Sequence, residues 1–97
     1  MGRYTLSGEA DADIRDIAES SLQQWGIARA ETYILGLHAA FRRLAELPGM
    51  GQEIGDVRPG YMRMQAGSHS VFYRNTEDGI LIVRVLPQRL QFGRHLE

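Results

Sequence analysis

The chain has 97 residues, 43% of them hydrophobic and 24% charged, with a formal net charge of −1. That describes a single globular domain, 1–97, with one core and no global field to draw it to nucleic acid or a membrane surface. There is no Cys, and all eleven basic residues are Arg, which excludes disulfides, thiolate metal sites, Cys nucleophiles, Schiff-base lysines and a P-loop lysine together.

Tyr4-Thr5-Leu6 is a short candidate strand, and Ser7 a candidate N-cap whose hydroxyl can accept from the open amides of a first helical turn. Ala10, Ile14, Ile17, Ala18, Leu22 and Trp25 then recur at three- and four-residue steps, with Glu9, Asp11, Asp13, Asp16 and Glu19 mostly between them. This spacing predicts an amphipathic helix. Its acids crowd the N-terminal half, where they complement the helix dipole, and Asp11 faces Arg15 one turn on. Gly26 supplies a left-handed stop. A second helix is predicted from Ile27 to Leu47, with Ala30, Tyr33, Ile34, Leu37, Phe41, Leu44 and Ala45 on one stripe. So short a link predicts an antiparallel hairpin that keeps part of its apolar surface for a sheet. Gly36 inside the second helix costs about 1 kcal/mol relative to Ala, so close packing is expected there.

Pro48 to Gly60, with two Pro and four Gly, reads as a flexible loop dividing a helical half from a strand half. Tyr61 to Ala66 alternates, with Met62 and Met64 on one face and Tyr61, Arg63 and Gln65 on the other. Gly67-Ser68 makes a turn before Ser70-Val71-Phe72-Tyr73-Arg74, and Glu77-Asp78-Gly79 makes another before Ile80 to Leu86. The last strand is apolar on both faces, hence central, with Arg84 interrupting it and Pro87 ending it. The predicted class is α+β: a short N-terminal strand, an antiparallel helix hairpin and a three-stranded antiparallel meander.

Familiar catalytic patterns are absent. Gly49, Gly51 and Gly55 are spaced too widely for a dinucleotide loop and follow a helix. Ser68-His69-Ser70 lacks a nucleophile elbow, and neighbouring strand residues point to opposite faces. His38, His69 and His95 show no metal-ligand spacing. We therefore expect no catalytic residue, metal or cofactor. With no apolar run long enough for a signal segment or a membrane span, and Leu6 where a myristoylation motif needs Ser or Thr, the expected location is the cytoplasm, with no membrane partner. What remains is a charge asymmetry. From Val57 to Glu97 six Arg face three acids, a net +3, whereas Ser7 to Gly26 carries five acids and one Arg, a net −4. Arg63, Arg74 and Arg84 on three successive strands are expected to converge on one sheet surface flanked by Tyr61 and Tyr73, a cluster suited to phosphate or to a partner's carboxylates. Arg84, in an apolar strand, must be paired or face a cleft.

Leu6-Ser7, the acid-and-alanine helix Glu9-Ala10-Asp11-Ala12-Asp13-Ile14, and Gln24-Trp25-Gly26 resemble the opening of ParE toxins of the ParE/RelE superfamily. The resemblance continues through Leu47-Pro48 and Gly51, Val57-Arg58-Pro59-Gly60, Gly67-Ser68-His69, Val71-Phe72-Tyr73-Arg74, Ile82-Val83-Arg84-Val85-Leu86, Arg89 and Arg94-His95-Leu96. It implies the same order of elements and a toxin of a bacterial type II toxin-antitoxin pair. ParE-branch toxins bind DNA gyrase and stabilise its cleaved complex with DNA, whereas the RelE branch cleaves mRNA on the ribosome. Both are neutralised by an antitoxin that folds onto the toxin, giving a toxin-antitoxin hetero-oligomer. Two departures stand out: Pro87 where such toxins often have His, and Gly8 where Pro commonly follows Ser7.

Within that superfamily the missing lysines favour gyrase inhibition by binding, because an Arg stabilises phosphate charge but transfers protons poorly. Ribosome-dependent RNA cleavage is the second reading, with Glu53 or Glu77 and His95 as the available acid-base groups, and a non-toxic binding module is the third. The candidate target-binding residues are Arg63, Tyr73, Arg74, Arg84, Arg89, Arg94 and His95. A ParD-like antitoxin is expected to meet Trp25, Tyr33, Met62, Met64 and Leu86, as a helix followed by a strand added to the sheet edge. No direct sequence-specific nucleic-acid binding is expected.

Overall fold

Ser7 begins the first helix as the sequence predicts. Its extended backbone (ψ 163°) ends strand β1 (Arg3–Leu6), and its Oγ accepts from Ala10 N at 2.9 Å, satisfying one open amide of helix α1 (Gly8–Trp25). The computed structural model describes residues 2–88. Asp11 and Arg15 form the expected ion pair on the exposed face of α1. Gly26 takes φ +85°, where a side chain would be strained, and donates its N–H to Leu22 O at 3.0 Å before helix α2 (Ile27–Glu46) begins.

The buried stripe of α1 is Ala10, Ile14, Ile17 and Ser21. Leu22 and Trp25, read from the sequence as part of that stripe, are 46% and 40% exposed. Position 21 completes the three-and-four stepping, and Leu22 lies about 100° further round the helix. In α2 the core residues are Ala30, Leu37, Ala40, Phe41, Leu44 and Ala45. Gly36 is exposed, and a Cβ there would meet nothing within 4 Å, so the expected close packing is not found.

A short 3-10 turn (Pro48–Met50) leads to β2 (Gln52–Glu53), β3 (Tyr61–Ala66), β4 (His69–Asn75) and β5 (Gly79–Pro87). The meander is present, extended to a five-stranded sheet in the order β1-β5-β4-β3-β2, with β1 parallel to β5 and the other neighbours antiparallel. The segment before β3 is tied down rather than flexible. Tyr73 Oη donates to Pro48 O at 2.7 Å and accepts from Gly51 N at 3.0 Å. Ile54, buried, folds over Phe72 and Leu86 on the sheet face away from the helices.

On the face toward the helices, Met62, Val71, Tyr73, Ile80, Ile82 and Val85 join Ile14, Leu37, Phe41 and Leu44 in the main core. Ile80, Ile82 and Val85 break the two-residue rhythm because β5 carries a bulge. Tyr73 pairs with Ile82 and Phe72 with Arg84, leaving Val83 without a partner on β4. The extra residue puts both Ile82 and Val85 on the core side through a change of phase, while Leu86 is buried on the opposite face under Ile54.

Replacing Gly36 with Ala is expected to stabilise the fold by about 1 kcal/mol through helix propensity alone. Thermal unfolding checks this: Tm should rise by roughly 4–8 °C for a domain of this size, and an unchanged or lower Tm would show a tertiary contact at that position.

Candidate functional site

Beyond Leu6, β1 no longer covers β5, and the start of α1 takes over. Ser7 N donates to Ile82 O at 2.9 Å and Ser7 Oγ to Val83 O at 2.7 Å. Nearly two turns further, Asp13 Oδ2 accepts from Val85 N at 2.9 Å and from Arg84 Nε at 2.8 Å, while Asp13 Oδ1 accepts from Arg84 Nη2 at 2.9 Å. The side chains are 19% and 14% exposed for Arg84 and Asp13, and Glu9 stands 3.8 Å from Arg84 Nη1. The bond to Asp13 holds the Arg84 guanidinium above its already high ordinary pKa, against a smaller opposing effect of burial. In the ladder Arg84 lies opposite Phe72, on the sheet face that also carries Arg63 and Arg74, while its guanidinium reaches Asp13 on α1.

Arg63 and Arg74 do share a face. In the ladder Arg63 lies opposite Phe72 and Arg74 opposite Tyr61, placing all four on the side away from the helices. Arg63 Nε donates to the buried Ser70 Oγ at 3.2 Å, which stiffens its side chain. Arg74 is exposed, and the Arg58 guanidinium lies 5.5 Å from the centre of the Tyr61 ring. Tyr73, expected beside them, is fully buried on the opposite face, where burial pushes its hydroxyl pKa up and the Gly51 N–H partly offsets this. Its three-residue apolar neighbourhood, Val71-Phe72-Tyr73, hides which face it takes until the ladder register is known. Arg89, Arg94 and His95 lie outside the described residues.

A second feature is a groove of about 620 Å³ between the C-terminal half of α1 and the adjoining ends of β4 and β5. Asp16, Ser20 and Trp25 stand on the helix side, and His69, Leu86 and Pro87 on the sheet side. Tyr33 braces it. The Tyr33 hydroxyl shares a 2.6 Å hydrogen bond with His69 Nδ1 and accepts from Ser68 N at 3.0 Å. This close approach needs Gly67, which has φ +58° and whose Cβ would fall 2.6 Å from Tyr33 Oη. Arg29, Trp25, Tyr33 and His69 then follow one another, with the guanidinium 5.2 Å from the Trp25 ring and ring centres 5.9 and 5.6 Å apart. Burial holds the His69 imidazole below its ordinary 6.5, with Asp13 opposing, so the ring is neutral at pH 7. Trp25 and Tyr33, two of the residues expected to meet an antitoxin, thus gather around one groove; Leu86 borders it, but its buried side chain packs with Ile54 and Phe72 on the opposite sheet face. Met62 and Met64 do not: Met62 is buried in the main core and Met64 packs against it beneath the helices.

Sequence reasoning missed His69 and Asp16 as groove residues and Asp13 as the partner of Arg84. The only signal was negative, an Arg in an apolar strand that required a carboxylate from elsewhere. Among the described residues no group of three or more His, Asp or Glu is placed to hold a metal ion, and no helix is long and apolar enough to cross a membrane.

A helix hairpin on one face of a small antiparallel sheet is also the fold of a solved structure described as the chromosomal ParDE TA system from P. aeruginosa, with a TM-score of 0.77 at 18% identity over 90% of this chain and 96% of that one. Residues 4–92 match the family described as ParE toxin of type II toxin-antitoxin system, parDE. Toxin ParE1 of Caulobacter vibrioides is 44% identical over 99% of both chains, and Toxin ParE1 of Mycobacterium tuberculosis strain H37Rv is 41% identical over 97% of both. The chain belongs to the ParE toxin family of type II toxin-antitoxin systems.

Two outcomes follow from these contacts. Asp13→Ala strands a largely buried guanidinium and the Val85 amide, and should destabilise the fold by about 3 kcal/mol in denaturant unfolding; Asp13→Asn, which keeps an acceptor, should cost less. Because His69 binds its proton less readily when folded than unfolded, its contribution to stability is complete above pH 6.5 and is lost as pH falls below that value. The Tm gap between the native chain and His69→Gln should therefore shrink from pH 7 to pH 5. A constant gap would contradict the assignment.

Proposed function

We propose that this ParE-family chain acts in the cytoplasm by binding DNA gyrase and stabilising its cleaved complex with DNA, performs no covalent chemistry of its own, and is neutralised by a ParD-like antitoxin in a hetero-oligomer. One observation carries the reading. The sheet face away from the helices presents Arg63 and Arg74 beside Tyr61 and Arg58, with no described acid-base group among them. Glu53 pairs in register with Met62, which faces the helices, and Glu77 lies in the turn between β4 and β5. His38 and His69 are each hydrogen-bonded to a tyrosine, at 2.7 Å to Tyr4 and 2.6 Å to Tyr33. A face of this kind offers planar, permanently charged donors and an aromatic anchor, which suits binding, while RNA cleavage needs proton transfer at the scissile phosphate.

The test adds purified toxin to a gyrase supercoiling and DNA-cleavage assay and, separately, to translating ribosomes with mRNA cleavage mapped by primer extension. Cleaved gyrase-DNA complex should accumulate. The double variant Arg63→Ala/Arg74→Ala should need on the order of tenfold more protein for the same effect. Cleaved mRNA with gyrase unaffected would replace this reading with the ribonuclease one.

A further inference from the structure

Ile54, buried over Phe72 and Leu86, anchors the loop that presents Arg58. Its carbonyl accepts from Val57 N at 2.9 Å and from Arg58 N at 3.0 Å, and its own N–H donates to Tyr61 O at 3.0 Å. Pro59 and Gly60, the latter at φ +82°, turn the corner and let Tyr61 N donate to Arg58 O at 3.1 Å. Arg58 therefore stands on a hydrogen-bonded turn with its guanidinium 5.5 Å from the centre of the Tyr61 ring, and Arg74 lies across the ladder from the same tyrosine. Two exposed arginines flank one aromatic ring, and Arg63 is a diagonal step away on the same face, about 7–8 Å at the backbone.

No acid answers this cluster. Neither Arg58 nor Arg74 has an ion-pair partner among the described residues, Asp56 of the same loop included. Glu53 is in register with Met62 on the helix side, and Glu77 and Asp78 lie in the turn beyond β4. Chemistry then narrows the ligand. A guanidinium only donates and keeps its charge at any physiological pH. A protein surface mixes donors with acceptors, whereas a phosphodiester backbone offers acceptors alone and repeats them along a line. The acid-rich helix α1 belongs to the layer on the other side of the sheet, so a polyanion is drawn to the arginine face and repelled from the opposite one.

We propose that Arg58, Tyr61 and Arg74 seat the sugar-phosphate backbone of DNA in the gyrase-DNA complex, as a contact independent of base sequence. The proposal rests on the gyrase half of the function above and adds that this face meets the DNA itself.

The chain has no Cys, so one introduced thiol is a unique attachment point. Gln52→Cys lies opposite Arg63 on the exposed edge strand β2 and shares the arginine face; Glu19→Cys, exposed on α1, is the control. Each variant, carrying a short aryl-azide crosslinker, is mixed with gyrase and end-labelled duplex DNA and irradiated. Labelled DNA should be captured through position 52, and on the order of tenfold less through position 19. Adding Arg58→Gln and Arg74→Gln to Gln52→Cys should lower DNA capture on the order of tenfold. Both arginines are exposed, so this variant is expected to fold, which circular dichroism verifies. Capture of a gyrase subunit alone, or of nothing, through position 52 while cleaved complex accumulates would overturn the DNA contact and leave the gyrase reading standing. Equal DNA capture through positions 52 and 19, or capture unchanged by the two Arg substitutions, would overturn it as well. Failure of the native toxin to accumulate cleaved complex would overturn both readings together.

Discussion

The outer edge of β5 is the constraint around which this small fold is arranged. β1 covers it only as far as the pairing of Leu6 with Ile82, and the backbone groups beyond need partners or water. The first two turns of α1 supply them. Ser7 caps its own helix with the same hydroxyl that donates to Val83 O, and Asp13 serves both the Val85 amide and the Arg84 guanidinium. Three hydrogen bonds to one carboxylate fix the rotation of α1 about its axis. That rotation turns Ile14 and Ile17 into the core and Asp16 toward the groove.

The bulge at Val83 makes this possible. Without it, strict alternation would send either Ile82 or Val85 away from the helices. With it, both remain buried while Arg84, opposite Phe72, stands on the other face and sends its guanidinium to Asp13 of α1. The price is a guanidinium held at the sheet edge, which the Asp13 carboxylate meets with two hydrogen bonds. The molecule is thereby divided between a helix-side groove with one uncommitted acid and an opposite sheet face carrying Arg63 and Arg74. The overall net charge of −1 conceals that separation.

Much of this was legible in the sequence. Ser7 and Gly26 mark the ends of α1, the stepping from Ala10 to Ile17 marks its buried stripe, and the alternation in Tyr61 to Ala66 marks a strand with its faces correctly divided. Local periodicity carries such information because neighbours along the chain decide it. What was not legible depends on partners far away. Arg84 and Asp13 are 71 positions apart, the bulge leaves no trace in a strand whose residues are nearly all apolar, and the side taken by Tyr73 follows from register. Its buried hydroxyl then organises the Pro48–Gly51 segment, whose composition alone suggests a flexible loop. Met62 and Met64 show the converse: their shared face was read correctly, and it is the face of the main core, with Met62 buried in it and Met64 partly so.

Arg84, a target-binding candidate in the sequence, also fastens α1 to β5. A double-mutant cycle on Asp13→Ala and Arg84→Ala, followed by denaturant unfolding, measures that claim most directly. The account predicts a coupling of about 1–3 kcal/mol, with the double variant less destabilised than the sum of the two single variants. Additivity within about 0.5 kcal/mol would mean that the pair does not hold the helix to the sheet, and would contradict the account.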